Sequence, residues 1–170
     1  MSLEFPSPLL PRASRAEVLT GYLDFFRQTL VDKARALPAD RLGASALPSG
    51  WTTLELVQHL SHVERRWLEW GFEGHDVPDP WGDADAGGVW RVAPGTTLDQ
   101  LLTRLATQAA TSRSIVATHA LDEVGAPSPR WEGSPPPTLE RVLLHLVQEY
   151  ARHLGHLDVV CELAGAGTGE

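Results

Sequence analysis

The sequence predicts an all-α fold: a single domain over residues 1–170 forming a four-helix bundle, up-down-down-up, with a long crossover between the second and third helices. Three observations predict it. Four segments repeat apolar residues at three- and four-residue steps, the period of one buried helix face. Breaks rich in proline and glycine separate them. No segment sustains the period-two alternation of a half-buried strand, so few or no strands are expected. Four such helices can cover one another's apolar faces.

The first helix begins at Ser14, with Glu17 three residues later as in a capping box. Val18, Tyr22, Phe25, Phe26 and Leu30 form its expected inward stripe, and Pro38 ends it. The second begins at Thr52 or Thr53, with Glu55 in its first turn and Leu56, His59, Leu60, Val63, Trp67 and Trp70 inward; Gly71 stops it. Residues 71–95 make a long connection containing Trp81, Trp90, three prolines and five acidic residues. Connections of that length usually act as lids or crossovers. The third helix starts near Thr96 or Thr97, with Leu98, Leu101, Leu102, Leu105, Ala109, Ser112 and Val116 on one side. The fourth follows the triple proline 135–137 and Thr138. Its stripe runs Leu139, Val142, Leu143, Leu146, Glu149, His153, His156 or Leu157, and Val160. The tail from Ala164 reads as frayed.

A composition of 42% hydrophobic and 21% charged residues is that of a globular chain. Fourteen basic against 22 acidic residues, for a formal charge of -8, argue against nucleic-acid binding, which needs a basic stripe. Cys161 is the only cysteine, so no intrachain disulfide is possible; among Val159, Val160 and Leu163 it reads as a small buried hydrophobe. The N-terminal stretch lacks the charged and apolar regions of a secretory signal, and no apolar run approaches a membrane span. The expected address is cytoplasmic, with no membrane partner.

The anomaly is polar residues on apolar stripes. Positions four apart lie roughly 40° apart around a helix, so Glu149 and His153 share a face that is otherwise Leu and Val. His59 holds the corresponding place on the second helix, between Leu56 and Val63. An ionised carboxylate in an apolar core is costly unless it is paired or bound to a metal. Two imidazoles and a carboxylate are a ligand set for zinc, and also suit iron, nickel or cobalt. The pattern alone leaves alternatives open. His59 can be a hydrogen-bonded core histidine, and Glu149 can pair with Arg152 or Arg141. A triad of His59, His153 and His156 with Glu149 behind it also satisfies the spacing. His62 lies on the flank of Glu55 and Glu69, solvated or at the mouth of the site. His75 and His119 carry no spacing signal and read as ordinary surface residues.

The stretch from Gly50 to Leu60, GWTTLELVQHL, resembles the second-helix motif of the DinB/YfiT-like superfamily. The stretch from Leu144 to His156, LHLVQEYARHLGH, resembles its fourth-helix motif, and the likeness in helix order and loop length runs over nearly the whole chain. Many members of that superfamily carry H-x-x-x-H on the fourth helix. Here Glu149 replaces the first of that pair, which is similar to mycothiol-dependent maleylpyruvate isomerase with its zinc-binding E-x-x-x-H. The resemblance therefore implies His59, Glu149 and His153 as ligands of a divalent metal, zinc first and nickel or iron next. It also places His156 beside the site.

By the same resemblance, the expected function is that of a metal-dependent transferase or isomerase. It would use a small-molecule substrate and a low-molecular-weight thiol such as mycothiol or bacillithiol, activated at an open metal position. His62 or His156 would serve as general base, and the Trp81–Trp90 loop would close over the site. Two other readings compete. One is a metal-binding stress or accessory protein without turnover, homodimeric through its apolar faces. The other is a metal-assisted hydrolase with Glu64 or Asp158 as base, although each also has an ordinary surface explanation.

Overall fold

The computed structural model describes residues 3–11 and 14–167. Among these, four long helices, α1 (Arg15–Ala36), α3 (Thr53–Arg65), α4 (Leu98–Thr118) and α5 (Leu139–Leu163), join a single-turn α2 (Ala39–Leu42). There is no strand among the described residues, and Ala84–Trp90 and Val124–Thr138 form isolated bridges. None of these helices is long and apolar enough to cross a membrane.

Side chains fix the helix starts. Ser14, Thr52 and Thr97 each accept from the backbone N–H three residues on. At Thr52 and Thr97 the side chains of Glu55 and Gln100 also reach back to the cap N–H, completing capping boxes. Gly71 does not stop α3. The chain continues as a π-helical segment, Arg66–Phe72, and a short 3-10 turn, Pro129–Trp131, docks on it ahead of α5.

α1 lies against α4 and α5, and α3 lies against the same two, so the long helices close a ring around one core. Arg15 pairs with Glu140 near the starts of α1 and α5, and Lys33 with Asp158 near their ends. Leu23, Leu30, Leu56, Leu60, Leu143 and Leu146 fill the centre.

The inward face of α1 differs from the expected stripe. Leu19, Leu23, Arg27, Leu30 and Ala34 point inward, whereas Val18 is exposed. Tyr22, Phe25 and Phe26 are half-buried, with the first two covered by Phe5. Arg27 is the reason: it belongs to the buried face because its partner is buried. That partner, Glu64, is a correction to the surface reading. It is wholly inaccessible and accepts from Arg27 Nε and Nη2 at 2.8 Å each, Ser112 Oγ at 2.6 Å and Tyr150 Oη at 2.5 Å. Burial pushes the Tyr150 hydroxyl well above its usual pKa, so it stays a neutral donor. Burial alone would lower Arg27, but the Glu64 carboxylate raises it overall. On α5, Leu157 takes the inward position and His156 is exposed.

Candidate metal centre

α3 contributes His59, and α5 contributes Glu149 and His153 one turn apart. One ligand atom from each lies within 4.8 Å of the other two, close enough to share a single ion. The three side chains are 12 to 21% exposed, so the cluster is sheltered without being sealed. His153 Nε2 lies 3.3 Å from Glu149 Oε2, and this contact lowers the carboxyl pKa.

The long connection supplies what periodicity could not. His59 Nδ1 donates to Asp83 Oδ2 at 2.8 Å, because an ionised carboxylate can only accept. That leaves Nε2 as the ring nitrogen available to a metal, the arrangement by which outer carboxylates orient ligating imidazoles. Asp83 is itself buried and gripped by Arg66, whose Nη1 lies 2.5 Å from Oδ1 and Nη2 3.2 Å from Oδ2. Burial would raise the Asp83 pKa, but the hydrogen bonds from His59 and Arg66 hold it far below the usual carboxylate range. Burial lowers His59 overall, against the opposing pull of Asp83. Trp90 lies stacked on the His59 ring at 3.9 Å and 5.4 Å from that of His153.

The loop is tied down rather than loosely draped. Gln58 Nε2 donates to the Arg91 carbonyl at 2.7 Å, and Arg65 Nη2 to those of Pro78 and Asp79 at 2.6 and 2.8 Å. Beside Trp90 a cavity of about 450 Å³ opens, lined by Trp51, Glu55, Val89 and Arg91 among others.

The remaining candidates scatter. His62 is 20% exposed, and its Nδ1 is buried without a hydrogen bond, 3.9 Å from Asp83 Oδ1. His156 is exposed, its ring 6.1 Å from that of His153 and 6.4 Å from that of Trp51. Cys161 is fully buried, and burial raises its thiol pKa, as suits a packing residue. His119 is more than a plain surface residue, because it bridges Glu73 at 2.8 Å and Glu123 at 2.9 Å. His145 enters unforeseen, with its Nε2 3.4 Å from Glu149 Oε1 and its ring 4.1 Å from that of Trp67. It stands four residues before Glu149, the same step that singled out His153, so the signal was available. Asp83 and Arg66 gave no such signal, and Trp90 was expected only as part of a loop closing over the site.

Residues 18–165 match the mycothiol-S-transferase family over most of the chain's length. The chain belongs to that family. No curated protein matches it. Membership in the mycothiol-S-transferase family agrees with the DinB-type likeness of the α3 and α5 motifs, and the helical fold agrees with both. The donor set also fits a divalent metal by its own chemistry. Two imidazoles and a carboxylate converge and one imidazole is already fixed in tautomer; a tetrahedral ion held by these three would have room for one further ligand.

Proposed function

We propose that this mycothiol-S-transferase family member is a metal-dependent enzyme that joins a low-molecular-weight thiol to an electrophilic small molecule, with His59, Glu149 and His153 holding zinc. The observation that carries the reading is the buried Arg66–Asp83–His59 relay behind the ligand cluster. Asp83 accepts the hydrogen bond from His59 Nδ1 and so leaves Nε2 as the unprotonated nitrogen that a ligating imidazole needs beside Glu149 and His153. Zinc bound there would lower the pKa of a coordinated thiol, so that the thiolate is available near neutral pH.

The chain's own residues do the rest. Glu149 and His153 are held one turn apart on α5, and Asp83 fixes His59 opposite them. Trp90 screens the His59 ring from water. The exposed His156, beside Trp51 on the rim, is the proposed acceptor of the thiol proton. In transfer to an alkyl halide, a carbon–sulfur bond forms and the carbon–halogen bond breaks. The halide leaves, and the thiol proton passes to His156 and on to water. Hydrolysis is the weaker reading, because its two candidate carboxylates are engaged elsewhere: Glu64 by three donor side chains and Asp158 by Lys33.

The test compares metal content and product formation. Protein purified without added metal is expected to carry about one zinc per chain, and His153→Ala little. The zinc form is expected to consume a chlorinated electrophile only when mycothiol is present. Equal metal in both proteins would remove the metal site. Metal without any thiol-dependent product, across a panel of cellular thiols, would favour a binding protein instead.

A further inference from the structure

We propose that Arg130 is a substrate anchor that takes a carboxylate on the electrophilic small molecule, separated from the ligand cluster by the rings of Trp67 and His145. Its use in turnover rests on the proposed function above; the binding site itself does not.

Arg130 is partly buried, and its Nε is shut off from water with no hydrogen-bond partner. Among the described residues its side chain makes no ion pair. Its guanidinium lies over the Trp67 ring at 4.3 Å, with the Trp81 ring at 5.7 Å. Arg66 stacks on the same Trp81 at 4.5 Å, so two cations share one aromatic surface. Their situations differ. Arg66 is neutralised by Asp83, whereas the carboxylate acting on Arg130, Glu132, is exposed and forms no ion pair with it. Burial and the neighbouring Arg66 both lower the pKa of Arg130, which nonetheless stays charged, as arginine does in proteins. A half-buried cation beside a like charge is unfavourable unless something else completes it.

Its position is built rather than incidental. Arg130 sits in the 3-10 turn, whose Ser128 Oγ donates to the Trp70 carbonyl and accepts from the Arg130 N–H at 3.1 Å. The turn docks on the π-helical segment because residue 71 is glycine. A Cβ there would come within 2.7 Å of Trp131 Cη2. The anchor also borders the metal centre. Trp67, beneath Arg130, lies 4.1 Å from the His145 ring, and His145 Nε2 lies 3.4 Å from Glu149 Oε1.

The chemistry selects the ligand. A guanidinium lying over an indole keeps its N–H donors for an acceptor in the guanidinium's own plane. A planar carboxylate meets two of them at once. Trp67 and Trp81 suit an apolar or unsaturated body attached to that carboxylate.

Calorimetric titration of the full zinc-loaded chain with benzoate, benzamide and phenyl phosphate tests the proposal. Benzoate is expected to bind at least about tenfold more tightly than benzamide, and Arg130→Gln to abolish the difference, with Arg130→Lys in between. Circular dichroism verifies that each variant is folded. His153→Ala should keep the preference for benzoate. If benzoate binding instead survives Arg130→Gln and disappears in His153→Ala, the carboxylate goes to the metal and the proposal is overturned. Equal binding of benzoate and benzamide overturns it too. Tighter, Arg130-dependent binding of phenyl phosphate would overturn the choice of carboxylate. A wild-type protein without zinc would defeat the metal reading while leaving the Arg130 preference to be judged by the same titration.

Discussion

At the scale of single residues, Glu149 and His153 stood out because a carboxylate and an imidazole at helical spacing contradict the Leu and Val around them, but it was the resemblance of the α5 motif, not the spacing, that preferred Glu149 to His156. His59 was legible for the same reason. Asp83 was not, because it lies in a connection without periodicity and only the folded loop brings it to His59. Its role makes a direct prediction. Asp83→Asn keeps the shape but removes the charge that fixes the His59 tautomer, and it leaves Arg66 without its partner. Zinc affinity, measured by competition with a chromophoric chelator, is expected to fall about 10- to 100-fold. An unchanged affinity would mean that Asp83 serves only to dock the loop.

At the scale of elements, the start of α3 was readable from Thr52 and Glu55, but its end was not. A glycine at position 71 looks like a stop signal. In the fold it is the place where Trp131 approaches too closely for a side chain. Gly71→Ala is therefore expected to destabilise the protein by about 1–3 kcal/mol in urea titration, an overpacking cost that a helix-propensity argument gives the opposite sign. The same end of the π-helical segment is held from outside by His119, which caps the end of α4 and bridges Glu73 and Glu123. Its hydrogen bond to Glu123 leads the effects that raise its pKa. A histidine raised in the folded state stabilises fully below its unfolded pKa, about 6.5, and loses that contribution as pH rises through the folded value. The stability difference between wild type and His119→Gln should thus be greatest below about pH 6 and shrink toward pH 8. A difference that does not vary with pH across that window would assign His119 a packing role against Phe72 instead.

At the scale of the whole molecule, one buried carboxylate draws the four long helices to a point. Glu64 of α3 receives hydrogen bonds from Arg27 of α1, Ser112 of α4 and Tyr150 of α5. A reading that counts apolar positions found only Ser112 of this cluster on an inward stripe and could not find Arg27 or Glu64, since each lowers the apolar score of its own stripe. It shifted the α1 face by one position for that reason. Removing one partner leaves the other charge buried and unpaired, so Glu64→Ala is expected to cost about 3–5 kcal/mol in urea unfolding. Replacing the set together, as Arg27→Met, Glu64→Leu and Tyr150→Phe, should recover much of that loss, because apolar residues of similar volume often do as well as a buried ion pair. If stability were its only purpose, the triple variant would bind zinc as the wild type does. The placement argues otherwise. Tyr150 follows Glu149 directly on α5, and Glu64 lies about one and a half turns beyond His59 on α3. The hydrogen bond between them therefore sets the register of the two helices that carry the proposed metal ligands. The triple variant is expected to be folded and stable yet weaker for zinc in chelator competition, although none of its three substitutions touches a ligand. Wild-type zinc affinity in that variant would show that packing alone holds the register, and would leave the cluster with stability as its whole contribution.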